Sequence, residues 1–479
     1  MPFFIKSKRG NTTGSRFSKG GSKRKISQNK DPGAKRRTKL DDEEIESDSD
    51  IGSDAEYKKR KDEYESSEDE ETVEEKKLRL AKQYLAQIEA EEAEKREDEE
   101  EDFNRDIISH RLKQDILEQT GRLQREVADN YLVPTVEDIT VLRGHQLSVT
   151  CVVISPDSRH LFTGSKDCSI IKWDIQRRKK VAVIPGGRKG TEKSHVGHTE
   201  HILCLAISSD GKYLASGGLN KLVRIWNPDD CTHVHFFPGH KDAISSLAFR
   251  KGTHQLFSAS HDRSVKVWNV EDRTYIETLF GHEDSITCVD SLSRDRAITG
   301  GGRDGSVRIW KVVEESQLVF HGHKGSIDCV ALINESNFVS GADDNSISLW
   351  VVTKKKPLVM VRNAHGRPDT DVNENRHNPV TSSENWITAL TSLQHTDLIA
   401  SAGSKDGCIR LWKAGQDMKS LTPLFTVPVN GFVNSLKFSK DGDMLVAGIG
   451  QEHRLGRWWR IKEARNGAVV IKLKQKTSN

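Results

Sequence analysis

Side chains of the types used in nucleophilic catalysis recur from His145 to the C-terminus. In one segment, Thr163 and Asp167 follow His145 and precede Trp173. A hydroxyl, a histidine and an aspartate are the residue types of a hydrolase triad. An active site is needed once, however, whereas this set returns several times with a tryptophan attached. We therefore predict that this set has a structural role. Because no phosphate-binding loop, nucleophile elbow or metal-ligand spacing occurs elsewhere, we also predict a protein without enzyme activity, metal or cofactor.

The recurring set belongs to an internal repeat. Gly-His pairs open five units at 144–145, 197–198, 239–240, 281–282 and 322–323, and Ala364-His365 opens a sixth. The histidine precedes a turn residue by 22 positions in the first four units and by 21 in the fifth. A tryptophan follows each turn residue by six positions, giving seven pairs: Asp167 and Trp173, Asn220 and Trp226, Asp262 and Trp268, Asp304 and Trp310, Asp344 and Trp350, Asp406 and Trp412, Glu452 and Trp458. This regularity predicts two strands and a tight turn in each unit.

From about Val136 to the C-terminus, these two spacings resemble those of the WD40 family. The resemblance implies an all-β, seven-bladed propeller with four antiparallel strands in each blade. It also implies a buried network that joins the histidine to the turn acid, a strand hydroxyl and the indole N–H. Three networks are expected to be complete: His145, Thr163, Asp167 and Trp173; His240, Ser258, Asp262 and Trp268; His323, Ser340, Asp344 and Trp350. Asn220 replaces the acid of the second unit, while Gly300 and Ala402 occupy the expected hydroxyl positions of the fourth and sixth, so we expect looser blades there.

Two segments are candidates for the outer strand of the seventh blade. Residues 138–142 precede the first Gly-His pair, and residues 468–473 lie near the C-terminus. Only one of them is expected to occupy that place. The family resemblance favours the N-terminal segment.

The part of the chain before the repeat is strongly charged. Residues 1–40 contain 13 Lys or Arg and one acid, a composition that does not collapse into a core. Residues 41–75 are acidic and serine-rich, and residues 76–133 show apolar positions at helical spacing. We therefore expect a disordered basic arm, a disordered acidic segment and helical segments in front of a propeller at 136–479.

Two clusters in the basic arm predict nuclear import. Their residues are Lys23, Arg24 and Lys25, and, after a gap of nine residues, Lys35, Arg36 and Arg37. This is the spacing of a bipartite import signal; a solvated charge run or phosphate binding to RNA is the alternative. Serines of the acidic segment, at 47, 49, 53, 66 and 67, match acidophilic kinase sites. The seven cysteines form no CxxC pair, which indicates reduced structural thiols. No apolar run approaches the length needed to span a membrane. We therefore expect a soluble intracellular protein.

Residues that precede the turn residues are expected to share one face of the ring. They are Lys166, Leu219, His261, Arg303, Asp343, Lys405 and Gln451, a mostly basic set. Such a face suits a phosphate backbone or an acidic peptide, with a solvated rim as the alternative. A long loop at 366–384, which contains Arg367 and Arg376, is expected to project from the same face.

The last unit has a cation in an unusual place. Arg457 takes the position that Ile225 and Val267 hold in other units, and Lys172 does so in the first unit. Two buried cations would need an anionic partner or an exposed site. Together with Arg454, Trp459 and Arg460, they suggest RNA binding through phosphate contacts and base stacking. An internal salt bridge or a misaligned last unit is the alternative.

Features beyond the repeat resemble one group of WD40 proteins. The charged N-terminus, the segment KLRLAKQYL at 77–85 and the sequence EHRLGRWWRIKEARN at 452–466 are similar to the WD-repeat proteins specific to the U3 small nucleolar ribonucleoprotein. This resemblance implies a nucleolar scaffold that binds the box B/C region of U3 RNA with a small RNA-binding core protein. It also implies contacts with pre-ribosomal processing factors, a role in small-subunit biogenesis, and a monomer within a larger complex, away from membranes.

Two other functions remain open from the sequence. Residues 173–177, Trp-Asp-Ile-Gln-Arg, resemble the WDxxR box of substrate receptors for cullin-type ubiquitin ligases. A chromatin- or peptide-reading propeller is a third possibility, and it predicts an acidic or aromatic central pocket. Ligase adaptors, histones and RNA as bound partners distinguish the three.

Overall fold

A computed structural model describes residues 124–188, 190, 195–366, 385–415, 417–458 and 460–476, together with Arg79. All of these residues lie in one compact unit, 44–479. The predicted import clusters and the acidic serine segment lie outside the described residues, as do the loop 367–384 and Trp459. Arg79, within the predicted first helix, is helical and exposed. No helix in the described part is both long and apolar enough to cross a membrane.

Seven four-stranded antiparallel sheets form the blades of a propeller, as the repeat predicts. Blades 1 to 3 are β2 (Val149–Ile154), β3 (His160–Ser165), β4 (Ile170–Asp174) and β5 (Lys179–Ile184); β6 (Ile202–Ile207), β7 (Leu214–Gly218), β8 (Val223–Trp226) and β9 (His233–Phe237); β10 (Ile244–Phe249), β11 (Gln255–Ser260), β12 (Ser264–Asn269) and β13 (Thr274–Phe280). Blades 4 to 6 are β14 (Ile286–Ser291), β15 (Arg296–Gly301), β16 (Ser306–Lys311) and β17 (Ser316–His321); β18 (Ile327–Leu332), β19 (Asn337–Ala342), β20 (Ile347–Val351) and β21 (Val359–Val361); β22 (Ile387–Ser392), β23 (Leu398–Gly403), β24 (Cys408–Ala414) and β25 (Leu421–Pro428).

Blade 7 joins the two ends of the repeat region. Its strands, from the centre outward, are β26 (Phe432–Phe438), β27 (Met444–Gly450), β28 (Gly467–Lys472) and β1 (Ile139–Leu142). The N-terminal segment is the outer strand, as the sequence favours. The C-terminal segment is not its competitor but the third strand, so both ends are needed to complete the sheet.

This arrangement corrects the alignment of the last unit. Ile471 pairs with Leu445 as Trp173 pairs with Leu161, so Ile471 holds the tryptophan position of blade 7. Trp458 and Arg457 lie instead in the loop between β27 and β28. The prediction that Arg457 replaces an apolar strand residue is therefore wrong. Trp458 follows Glu452 by the six residues that are typical of the repeat, but neither Arg457 nor Trp458 belongs to a strand.

The innermost strand of every blade carries a bulge near its start. The register shifts at the second residue of six of these strands and at the third residue, Asn434, of β26. In blades 1, 4, 6 and 7 the side chain of this residue bonds to the neighbouring blade. Thr150 Oγ1, for example, donates to Ile202 O over 2.6 Å, and Asn434 Nδ2 donates to Val149 O over 2.8 Å. The latter bond closes the ring between blades 7 and 1. Bulges thus redirect polar side chains from the ladder to the blade interfaces.

Apolar side chains fill the spaces between blades. Outer strands such as β5 and β13 are mostly exposed, whereas inner strands are buried along most of their length. Trp226 and Trp350 are among the largest fully buried side chains. The seven cysteines are unpaired, and burial raises the pKa of Cys151 to about 12, which agrees with the predicted inert thiols.

Residues 124–133 tie the N-terminal extension to blades 6 and 7. The helical pattern assigned these residues to a helix, but they are extended except for single 3-10 turns at Ala128–Asn130 and, further on, Val136–Asp138. Val127 and Ala128 donate their backbone N–H groups to Asp397 Oδ1 over 2.8 and 3.0 Å. Because Asp397 is fully buried, these tertiary partners replace the hydrogen bonds of a helix.

Candidate nucleic-acid interface

A buried hydrogen-bond network orders one face of the ring. In blade 1, Thr163 Oγ1 lies 2.8 Å from His145 Nε2 and accepts from Trp173 Nε1 over 2.9 Å, while His145 Nδ1 lies 3.1 Å from Asp167. Blade 3 repeats this chain from Trp268 through Ser258 and His240 to Asp262. In blade 5, Ser340 joins His323 to Trp350, but His323 Nδ1 bonds to Ser346, which bonds to Asp344. All three predicted networks are present. We call the side that carries these histidines and turns the network face.

Blades 4 and 6 also have complete networks, contrary to the sequence analysis. Thr299 lies 2.7 Å from His282 Nε2 and accepts from Trp310 Nε1 over 2.8 Å. Ser401 does the same with His365 and Trp412. The hydroxyl residue precedes the turn aspartate by four residues in blade 1 but by five residues in blades 4 and 6, because the turn in these two blades is one residue longer. Gly300 and Ala402 instead face the neighbouring blade.

Blade 2 keeps the network with an amide in place of the acid. The Asn220 side chain lies 3.0 Å from His198 Nδ1, and Ser216 joins His198 to Trp226. Burial lowers the pKa of His198 to about 3, and the Arg224 charge adds to this effect. Burial raises the pKa of Asp167, but hydrogen bonds from His145 and Ser169 outweigh it and hold the pKa well below its usual value. The amide of blade 2 thus takes the place that an aspartate holds in blades 1 and 3.

Blade 6 brings together three groups that metals bind: His365, Asp406 and Cys408. His365 Nδ1 is bonded to Asp406, and its Nε2 is bonded to Ser401. Both ring nitrogens of His365 are therefore already engaged by partners within the protein. Cys408 follows Asp406 by two residues, as Ser169 follows Asp167. The group is therefore one more network.

Two of the predicted RNA-binding lysines are engaged inside the protein. Lys172 Nζ donates to the carbonyls of Pro228 and Asp229 over 2.9 and 3.1 Å, and the side chain is buried. Lys166 is also buried, lies 3.7 Å from Glu452, and has its pKa lowered by burial. The expectation that Lys172 needs an anionic partner or an exposed site is wrong, because backbone carbonyls of blade 2 accept hydrogen bonds from its buried ammonium group.

Arg454 reaches into the central channel, a cavity of about 1070 Å³ lined by the innermost strands. Its backbone N–H donates to Asn434 of blade 7, and its guanidinium lies 3.5 Å from Thr287 O of blade 4 and 3.4 Å from Asp328 O of blade 5. Burial raises the pKa of Asp328 to about 7, although the Arg454 charge opposes this. Arg454 thus spans the mouth of the channel, a role that a sequence alignment cannot reveal.

The remaining predicted cations lie on the surface of the network face. Arg303 and Lys405 are exposed in the turns of blades 4 and 6. In the loop 451–466, Arg457 is 67% exposed in its side chain and lies 2.6 Å from Glu452, whereas Arg460 is exposed and donates to Gln451. Arg367, Arg376 and Trp459 lie outside the described residues. Trp458 of this loop packs against Trp386, and neither residue was among the binding residues expected from the sequence.

Comparisons with known proteins match this architecture. The model of the WD domain, G-beta repeat, matches residues 136–174, 190–227, 231–269, 273–311, 314–351 and 376–413. U3 small nucleolar RNA-interacting protein 2 of Homo sapiens is 56% identical over 406 residues, which are 85% of this chain and 83% of the relative. The chain belongs to the WD40 family. The first match, 136–174, includes β1, the outer strand of blade 7, together with β2 to β4 of blade 1.

Other WD40 relatives extend this comparison. A solved structure described as U3-55K superposes with a TM-score of 0.67 and 54% identity, covering 71% of this chain and 100% of the other. Ribosomal RNA-processing protein 9 of Saccharomyces cerevisiae is 27% identical over 82% of this chain and 87% of its own length. The matched WD40 ranges end at residue 413, before β26, β27 and β28 of blade 7. The third strand of this blade lacks the tryptophan.

Proposed function

We propose that this chain is a non-catalytic RNA-binding scaffold of the U3 small nucleolar ribonucleoprotein that acts in pre-ribosomal RNA processing and small-subunit biogenesis. The observation that carries the proposal is 56% identity, over 85% of the chain, to a protein named for its interaction with U3 small nucleolar RNA. The yeast relative is named for ribosomal RNA processing. The chemistry of the network face fits this role.

Exposed arginines and lysines supply the phosphate contacts. Arg457 and Arg460 of the loop 451–466, with Arg303 and Lys405 of blades 4 and 6, are the surface cations of the predicted set. Guanidinium groups bind phosphate oxygens in a bidentate manner and remain charged at every physiological pH. Arg367 and Arg376 belong to the same proposed surface by sequence. Lys166 and Lys172 stabilise the protein instead, and Arg454 shapes the channel mouth.

The N-terminal extension completes the proposed role. The two basic clusters at 23–25 and 35–37 would direct import into the nucleus, and assembly on U3 RNA would retain the protein in the nucleolus. A small RNA-binding core protein and pre-ribosomal processing factors are the proposed protein partners, with one copy of this chain in each particle. The networks that resemble a hydrolase triad are buried, which supports the absence of catalysis.

Salt-dependent binding to U3 RNA tests the proposal. Full-length protein is titrated with labelled U3 RNA and with an unrelated RNA of equal length across a range of salt concentrations. Affinity falls as salt rises, and each lost phosphate contact reduces the magnitude of this negative slope of log affinity against log salt by about 0.7 to 0.9. We expect Arg457→Gln with Arg460→Gln to weaken binding and to flatten this slope by about 1.5, whereas Lys440→Gln, an exposed lysine in the β26–β27 loop on the opposite face, leaves both unchanged. Equal affinity for the two RNAs would contradict the proposal.

A further inference from the structure

We propose that Trp458 and Trp386 form a stacking site for one unpaired base of the RNA bound on the network face. The inference rests on the proposed RNA-binding function and adds a specific recognition element to it. The site lies on the loop 451–466, which joins β27 to β28. The corresponding connection in blade 1, 166–169, has only four residues, so this loop is an insertion rather than a part of the repeat.

Trp458 is exposed although it is held in place. The residue has 57% of its surface accessible to solvent. Its ring centroid lies 5.2 Å from that of Trp386 at an interplanar angle of 87°, and 5.1 Å from that of His453. Edge-to-face packing of this kind fixes the orientation of a ring while leaving part of its surface open. An exposed, oriented indole is suited to an aromatic ligand.

The support under Trp458 is an apolar aromatic base. His453 is buried and also contacts Trp386 and Phe432, with centroids 6.0 and 6.4 Å away. Burial, with a contribution from the Arg454 charge, lowers the pKa of His453 to about 3, so the imidazole is neutral in the cell. The loop backbone is anchored on both sides of His453, since Glu452 N donates to Ser148 Oγ over 3.1 Å and Arg454 N donates to Asn434 Oδ1 over 2.9 Å. Trp458 is therefore preorganised.

The charges beside the indole favour RNA over a protein partner. Arg457 immediately precedes Trp458, and Arg460 follows it by two residues; both are exposed. Proteins that bind single-stranded nucleic acid combine aromatic platforms for bases with cations for the backbone. A base stacked on Trp458 would bring its flanking phosphates within reach of these two arginines. A base within a duplex has both faces covered by its stacked neighbours, so the site selects an unpaired, unstacked nucleotide.

Loss of a stacking contact weakens RNA binding without changing its salt dependence, whereas loss of a phosphate contact changes both. The two kinds of contact can therefore be distinguished by experiment. Full-length Trp458→Ala, Trp458→Phe and Phe236→Ala proteins are compared with the wild type in binding to U3 RNA, after melting curves show that each is folded. Phe236 is the matched control, since it is 46% exposed on the outer strand of blade 2. We expect Trp458→Ala to weaken binding about tenfold, within the roughly five- to hundredfold range of one stacked base. The salt slope stays unchanged, Trp458→Phe retains most of the affinity, and Phe236→Ala has no effect.

Abasic substitution identifies the nucleotide. We expect one abasic position among the unpaired nucleotides of U3 RNA to reproduce the loss with wild-type protein and to cause no further loss with Trp458→Ala. Wild-type affinity for U3 RNA in Trp458→Ala would overturn the stacking site and leave the proposed function intact, as would loss of a bound protein without loss of RNA affinity. Failure of the wild-type protein to prefer U3 RNA would overturn both.

Discussion

Substitution of Thr299 tests whether its hydroxyl group joins the network of blade 4. Thr299 is fully buried; its hydroxyl accepts from Trp310 Nε1 over 2.8 Å and lies 2.7 Å from His282 Nε2. Thr299→Ala leaves an indole N–H and an imidazole nitrogen buried without partners, at about 1–3 kcal/mol each. We expect the free energy of unfolding to fall by about 2–4 kcal/mol. Thr299→Ser keeps the hydroxyl and loses one methyl group, so we expect a loss of only about 1 kcal/mol.

The neighbouring glycine provides the contrasting variant. If Gly300 occupied the hydroxyl position, Gly300→Ser would complete a network and stabilise the blade. In the structure, a Cβ at Gly300 would lie 2.6 Å from Cys288 Sγ and 3.0 Å from Ile327 Cγ2. We therefore expect Gly300→Ser to destabilise the protein by about 1–3 kcal/mol through overpacking. Urea unfolding followed by tryptophan fluorescence measures all three variants; equal losses for Thr299→Ala and Thr299→Ser, or stabilisation by Gly300→Ser, would refute this account of the blade.

Three further predictions concern the N-terminal segment, acid stability and an internal lysine. Asp397→Ala removes the acceptor of the Val127 and Ala128 N–H groups, so we expect limited proteolysis to cut within 124–133 much faster than in the wild type. An unchanged cutting rate would show that contacts other than those with Asp397 hold this segment in place. The pKa of Asp262 is held below its usual value: burial raises it, but hydrogen bonds from His240 and Ser264 prevail. The ionised Asp262 stabilises the fold fully above about pH 4, near its unfolded pKa, and this contribution is lost as the pH falls toward the folded pKa. The urea midpoint of Asp262→Asn should therefore depend less on pH below 4 than that of the wild type. An identical pH dependence of the two proteins would contradict the assignment. Lys172→Met should lower the melting temperature but leave the RNA affinity and its salt slope unchanged, because Lys172 is buried and its Nζ donates to carbonyls of blade 2. A flattened slope would place this lysine on RNA.

The fold was predictable because its signals are periodic. Gly-His pairs and tryptophans at fixed distances predict the blades, and the apolar segment at 138–142 is correctly placed as the outer strand of blade 7. Errors arose where the period changes by one residue, as at Thr299, or where chance imitates it, as at Trp458. Because Ile471 replaces the tryptophan of blade 7, only strand pairing reveals the true register.

The binding surface was less predictable, because exposure depends on contacts between distant parts of the chain. Lys172 and Arg457 look equivalent in the sequence alignment, yet one is buried against blade 2 and the other lies on a surface loop. Arg454 crosses the channel to residues more than 100 positions away. Trp386 joins Trp458 only because blades 6 and 7 are neighbours in the ring. Local spacing carries no information on such contacts.

Crosslinking in cells determines whether the protein binds U3 RNA. Full-length protein is crosslinked to RNA, purified under denaturing conditions, and the attached RNA is sequenced, in parallel with a folded Arg457→Gln, Arg460→Gln variant. Binding to the U3 ribonucleoprotein predicts strong enrichment of U3 small nucleolar RNA, reduced in the variant. Absence of U3 enrichment, with histones or ubiquitin-ligase adaptors recovered under native conditions instead, would contradict it.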